Sequence, residues 1–276
     1  MAKKKQRTIV GSPLTPTLLD ELGALSNFPP SSEDFKPDGN WVNTYRIWTC
    51  HGYRQSGNDN VGFVRLKRIP DSDKAFALNV HQEVVETDGI LNIIEANIKC
   101  VKSQLAVPVE WRLSSCFIDA NGNEITQLRT ETSGSKKKGV LRIQTGGHTF
   151  KSKEPPWLTC DWCILEAIQH LKFSKKSLLI FDMLEGLSVL KENQRLSYRG
   201  FYPMKIGDKN IPLHCFVQLG SGILPCEYWL DDHHRLLVVT SMNKAYILDE
   251  KAEKITGKIV KEERKSYEKR KKTQRK

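Results

Sequence analysis

The stretch that decides the fold is 74-KAFALNVHQEVVETDGILNIIEANIKCVK-102. Lys74 to Glu86 and Ile90 to Lys102 are β-type segments, and between them stands Asp88-Gly89. Asp-Gly accepts the positive φ that a two-residue hairpin turn demands, so the stretch reads as two long antiparallel strands. The same rhythm extends outward. Thr44 to Tyr53 and Val61 to Ile69 flank Ser56-Gly57-Asn58-Asp59-Asn60, and Val109 to Asp119 and Glu124 to Thr132 flank Asn121-Gly122. Gly139 to Thr145 meets His148 to Lys151 across Gly146-Gly147. Each turn joins neighbours, which predicts an antiparallel meander, and strands this long without intervening helices curl into a half-barrel or barrel.

Glu154-Pro155-Pro156-Trp157 interrupts the pattern. A helix is expected over Thr159 to Phe173, where Trp162, Leu165, Ala167 or Ile168, and Leu171 recur at helical spacing. Strand signals then return at Leu178 to Leu184, Arg195 to Ile206, Ile211 to Leu219, Pro225 to Leu230, Arg235 to Met242 and Lys244 to Leu248; a second short helix is read at Leu184 to Asn193. Upstream, Thr15-Pro16 starts a short helix, followed by a Pro-rich linker. The expected organisation is a basic arm, helix and linker over 1–40, one β-rich domain over 41–249, and a tail over 250–276. The fold class is mainly β (α+β), a curled antiparallel sheet wrapping one or two helices. The tail is helical near the body, and its last third, from Lys269, buries too little to stay ordered alone.

The 43 Lys plus Arg against 32 Asp plus Glu make the chain +11, yet residues 8–249 hold 27 of each sign. The excess sits at the two ends, so a basic nucleic-acid-binding body is not indicated. If polyanions are bound, the expected contacts are Lys3, Lys4, Lys5, Arg7, Lys269, Arg270, Lys271 and Lys272. No apolar run is long enough to span a membrane. Behind the basic start, Ile9-Val10-Gly11-Ser12-Pro13 is no secretory leader core, and seven cysteines suit a reducing compartment; the cytoplasm is the expected location.

Candidate chemistry is sparse. Cys160-Asp161-Trp162-Cys163 has the spacing of a redox or zinc motif but lacks a second CxxC and a βαβ context, so buried thiols on a core-facing helix are the preferred reading. Cys50-His51 and His214-Cys215 point their members to opposite faces of a strand. Asp231-Asp232-His233-His234 reads as a hairpin turn, Asp119 to Asn123 as another, and Gly220-Ser221-Gly222 as a loop. No catalytic motif, cofactor fingerprint or metal site is expected.

The helix Trp162-Cys163-Ile164-Leu165-Glu166-Ala167-Ile168-Gln169-His170-Leu171, with Phe181-Asp182-Met183-Leu184, Gln194 to Gly200, Pro225 to Asp232 and Arg235-Leu236-Leu237, resembles an uncharacterised bacterial family. Its members are similar to lipoprotein-carrier-like half-barrels, in which a curled sheet wraps one or two helices around an apolar groove. The resemblance, over residues 157–248, implies a fold and no catalytic residue. The expected function is a non-enzymatic binding or structural module, its concave face lined by residues such as Trp111, Trp162, Phe181 and Trp229 and either burying its own helix or holding an apolar ligand. The alternatives are a nucleic-acid or ribosome-associated accessory protein tethered by its basic ends, and a thiol or zinc enzyme at Cys160 and Cys163.

Overall fold

The structure, a computed structural model, describes residues 14–26, 28–50 and 58–274. The strands on either side of Asp88-Gly89 are β3 (Ala75–Val85) and β4 (Leu91–Val101), paired without interruption from Ala75 opposite Val101 to Val85 opposite Leu91. The connection is one residue longer than the two-residue turn expected: the Glu86 N–H donates to the Ile90 carbonyl, and between them Thr87, Asp88 and Gly89 form a 3-10 turn with Asp88 and Gly89 at φ 63° and 73°. Before them come β1 (Trp41–Cys50) and β2 (Asn58–Ser72); Ser56 and Gly57 of the expected loop lie outside the described residues, and Asn58 to Asn60 are not loop but the start of β2, paired with Cys50 to Trp48. After them, β5 (Val107–Ile118), β6 (Thr130–Lys137), β7 (Val140–Thr145) and β8 (His148–Lys153) carry the meander to one edge of the sheet.

The chain then crosses to the other edge. There β9 (Leu158–Cys160) runs parallel to β10 (Leu178–Glu185). From β10 the meander returns inward through β11 (Val189–Ile206), β12 (Lys209–Leu219), β13 (Cys226–Leu230), β14 (Leu236–Ser241) and β15 (Lys244–Leu248), and β15 pairs with β1. Among the described residues the result is one unclosed, almost wholly antiparallel sheet of fifteen strands with β1 in the middle. It is the mainly β, curled architecture that the hairpin rhythm implies. The curl is visible in Trp111 of β5, whose indole N–H donates to the carbonyl of Leu187, 3.0 Å away in the turn between β10 and β11.

The interior is filled by a short helix, α2 (Cys163–Ala167), continued as a 3-10 turn over Ile168–His170. Every residue from Trp162 to Gln169 is buried. A helix this short is unstable alone and gains its stability from the packing around it. The expected three-turn helix is shorter than read because Leu158 to Cys160 pair with β10 and Leu171 turns extended. The second helix expected at Leu184 to Asn193 is instead the β10–β11 hairpin, turned by Gly186 and Leu187 in left-handed conformations. The strand expected from Glu124 to Thr132 is reduced to one bridge, Ile118 with Glu124, and a 3-10 turn over Thr126–Leu128, so β6 starts only at Thr130.

Two segments cover the sheet from outside. Residues 14–40 include α1 (Pro16–Glu21), capped by Thr15, and contribute Leu14, Leu18, Leu19, Leu25 and Phe28 to the core. They are pinned by Asp20, whose carboxylate accepts the Gly207 N–H, and by the Ala24 and Ser31 carbonyls, which accept from Arg46 and Arg235. At the other terminus α3 (Ala252–Gln274) lies against β1, β2, β3 and the turn at Thr87–Gly89. The helix expected only near the body runs on through Lys269–Lys272. Arg264 packs over Gly89 and donates to the Asp119 carbonyl, and Arg270 pairs with Asp88 at 2.9 Å, which tie down its later turns. Among the described residues no helix is long and apolar enough to cross a membrane.

Gly134 in β6 stands opposite Trp111, and a Cβ there would fall 2.2 Å from the indole Cζ2. Because the same indole bridges the two halves of the sheet, Gly134→Val is expected to destabilise the protein by about 1–3 kcal/mol. Chemical denaturation of wild type and variant checks this, and an unchanged midpoint would show that the indole is not held there.

Candidate functional site

Arg68 is the residue around which the site is built. Along β2 it continues the inward face of Val64 and Leu66, so a guanidinium occupies a core position and is only 2% exposed. Such a charge must be paired and hydrogen-bonded to be tolerated. Its Nε donates to Glu166 Oε1 of α2 at 2.8 Å, its Nη1 to the carbonyls of Asp38 and Gly39 at 2.6 and 2.9 Å, and its plane lies 4.5 Å over the Phe76 ring. Glu166, also 2% exposed, further accepts from His170 Nε2 at 2.8 Å. Asp38 closes the group by pairing with Lys102 at 2.7 Å, and that bond, the largest influence on it, holds the Asp38 carboxyl below its ordinary range.

These groups stand at one mouth of the curled sheet, beside a cavity of about 680 Å³. Phe76, Leu171, Leu179, Leu196 and Phe216 give it an apolar wall; Lys102, His170, Lys172 and Lys176 give it a cationic rim. Asp38 and Glu166 are already engaged, whereas Lys172 and Lys176 have no carboxylate within ion-pairing distance among the described residues. Next to the cavity, Phe173 is stacked between His214 and His234, at centroid distances of 3.7 and 4.1 Å. His214 bridges Tyr198 and Asp232 at 2.8 and 2.9 Å. This chain has the order of a proton relay, but burial raises the Tyr198 hydroxyl pKa, the opposite of nucleophile activation. A second depression, of about 770 Å³, is a polar trough across β3 to β7 in which Arg112 and Arg129 face Glu95 and Glu131.

The other sequence-read groups separate. Asp231 to His234 form the β13–β14 turn, where the Asp231 carboxylate accepts the His233 and Arg235 N–H groups. Cys160 and Cys163 are fully buried with Cys100, whose sulfur is 3.6 Å from that of Cys163, and burial pushes both CxxC thiols up in pKa where a redox thiol needs the reverse. Among the described residues no three His, Cys, Asp or Glu side chains are arranged to hold a metal ion. Trp111, Trp162, Phe181 and Trp229 line no open face; all lie in the core. Lys3, Lys4, Lys5 and Arg7 fall outside the described residues, and Lys269 to Lys272 lie on α3. Arg68, Glu166, His170, Asp38 and Lys102 were missed as a group. Their one local signal is Arg68 at an apolar position of the Val64-Leu66 alternation.

No protein family matches the chain, and no curated protein does. A solved structure does, the β-barrel-like protein of the domain of unknown function DUF1849 from Brucella abortus. The TM-score is 0.51 at 6% identity, over 75% of this chain and 94% of that one. The fold is β-barrel-like. At this identity the likeness concerns architecture alone.

Removing one partner of the Arg68–Glu166 pair leaves the other charged and buried, which costs about 3–5 kcal/mol. Glu166→Gln is therefore expected to lower stability by that order, and Arg68→Met with Glu166→Leu to recover most of it; equilibrium denaturation of the single and double variants reads both. At the opposite side of α2, Asp161 accepts the Gly186 N–H at 3.0 Å, its other oxygen has no partner, and burial pushes its pKa up to about 6. A carboxyl with a folded pKa above its unfolded value of about 3.9 holds its proton more tightly when folded, so its contribution is lost as pH rises between those values. Relative to Asp161→Asn, wild type is expected to lose on the order of 2–3 kcal/mol from about pH 4 to 7, measured by thermal unfolding across that range.

Proposed function

We propose that the protein is a non-enzymatic binding module that holds an amphiphilic anion, an apolar chain with one acidic head, in the cavity at the Arg68–Glu166 mouth. The observation that carries this reading is the combination of an apolar wall with two lysines free of carboxylate partners on its rim. The volume, about 680 Å³, falls within the range of small-molecule sites, and such sites are typically apolar with a few placed polar groups. Leu179, Leu196 and Phe216 would take the chain, and Lys172 and Lys176 the head. The buried pair contributes rigidity: it consumes the acids of the mouth and leaves the positive field of the rim uncancelled. The resemblance of residues 157–248 to lipoprotein-carrier-like half-barrels supports the same reading, with the ligand moved from the filled interior to the mouth. All seven cysteines are free thiols, which supports a reducing, cytoplasmic setting.

Displacement of a bound anionic naphthalene-sulfonate dye by decanoate tests the reading. Decanoate is expected to compete at one site, Leu196→Trp to weaken it at least tenfold by filling the cavity, and Lys172→Glu with Lys176→Glu to weaken decanoate more than decanol. Failure of decanoate to bind, or equal binding by all three proteins, would reject the site.

A further inference from the structure

α3 has two unlike faces. Toward the sheet it presents Ala252 and Thr256, buried, with Ile255, Ile259 and Val260 half-buried, and Glu253, Arg264 and Arg270 bound to Arg65, Asp119 and Asp88. Away from the sheet, Lys254, Lys258, Lys261, Lys265, Lys269 and Lys272 follow one another at steps of three and four residues, and all six are exposed. At 100° per residue they fall within an arc of about 80°, along about 27 Å of helix. None has an ion-pair partner among the described residues.

The arrangement works against the helix that carries it. Like charges at i,i+3 and i,i+4 destabilise, and Lys254 near the N-terminus opposes the helix dipole. Glu262 and Glu268 stand at the borders of the arc, one turn from Lys258, Lys265 and Lys272, whereas Lys261 and Lys269 have no Glu one turn away and no carboxylate interrupts the line. A linear array of point charges complements a line of phosphates. The apolar side of α3 is occupied by the sheet, so the helix cannot enter a bilayer as an interfacial helix does. No aromatic residue lies in the arc, so bases of a single strand have nothing to stack on.

We infer that the lysine stripe of α3 is a docking surface for the phosphate backbone of duplex nucleic acid, without base readout. It replaces Arg270, which Asp88 engages, as the organising part of the basic terminus, and it is independent of the cavity at the mouth. Six phosphate contacts set the steepest salt dependence, a slope of log K against log salt of about −5, or about a thousandfold loss of affinity from 50 to 200 mM salt.

The test is fluorescence anisotropy of the full chain with 20-base-pair duplexes of two unrelated sequences. Lys258→Glu/Lys261→Glu/Lys265→Glu is compared with Lys138→Glu/Lys205→Glu/Lys209→Glu, which makes the same charge change on exposed lysines elsewhere. Circular dichroism shows that α3 is retained. Expected are equal affinities for both sequences, a slope between about −3 and −5, and at least a tenfold loss in the stripe variant only. Equal losses in both variants, no binding by wild type at 50 mM salt, or stronger stripe-dependent binding to phosphatidylserine vesicles than to duplex would overturn it.

Discussion

The buried pairing of Arg68 with Glu166 is the interaction on which the rest of the molecule depends. A curled sheet of this length has more inward-facing surface than its own side chains can fill, and α2 supplies the filling. A five-residue helix has no stability of its own. It is held from several sides: by Arg68 of β2, by Cys100 of β4 in contact with Cys163, and by Gln169, whose side-chain oxygen accepts the Leu236 N–H of β14. The ion pair alone also reaches the segment ahead of β1, through the Asp38 and Gly39 carbonyls, so one guanidinium joins sheet, plug and covering segment.

That construction decides where function can sit. The interior is packed: Trp111, Phe181 and Leu66 are 2% exposed or less, and burial raises the thiols of Cys160 and Cys163. The outer face is covered near β1 by residues 14–40 and α3. The regions still available include the mouth, where α2 ends and His170, Lys172 and Lys176 emerge beside the walls of β10 to β12, the polar trough across β3 to β7, and the outward side of α3.

Legibility in the sequence tracks the range of the interactions. Hairpins closed by Asp88-Gly89 and Gly146-Gly147 are readable because turn chemistry is local. Leu184 to Asn193 reads as helical because its turn needs Leu187, a residue that seldom adopts positive φ, in the left-handed region, where its carbonyl accepts from Trp111 of a strand 76 residues earlier. The closure of β15 on β1 has no local mark at all, since it pairs Tyr45 with Leu248. The site is less legible than the fold for the same reason: Asp38, Arg68, Lys102 and Glu166 come from four separate elements. The CxxC and Asp231 to His234 attract attention by spacing, yet they are core and turn. The charged ends are visible by counting, but the lysine arc becomes a surface only because α3 continues past residue 265.

A plugged, unclosed sheet whose proposed ligand site is the mouth makes a spectroscopic difference between its interior and its rim. Methyl spectra of Ile/Leu/Val-labelled protein titrated with decanoate address it directly. Saturable shifts are expected at Leu171, Leu179 and Leu196, with Leu66, Leu78 and Ile143 unmoved. Shifts confined to the exposed Ile180 and Leu219, or spread through the interior methyls, would count against it.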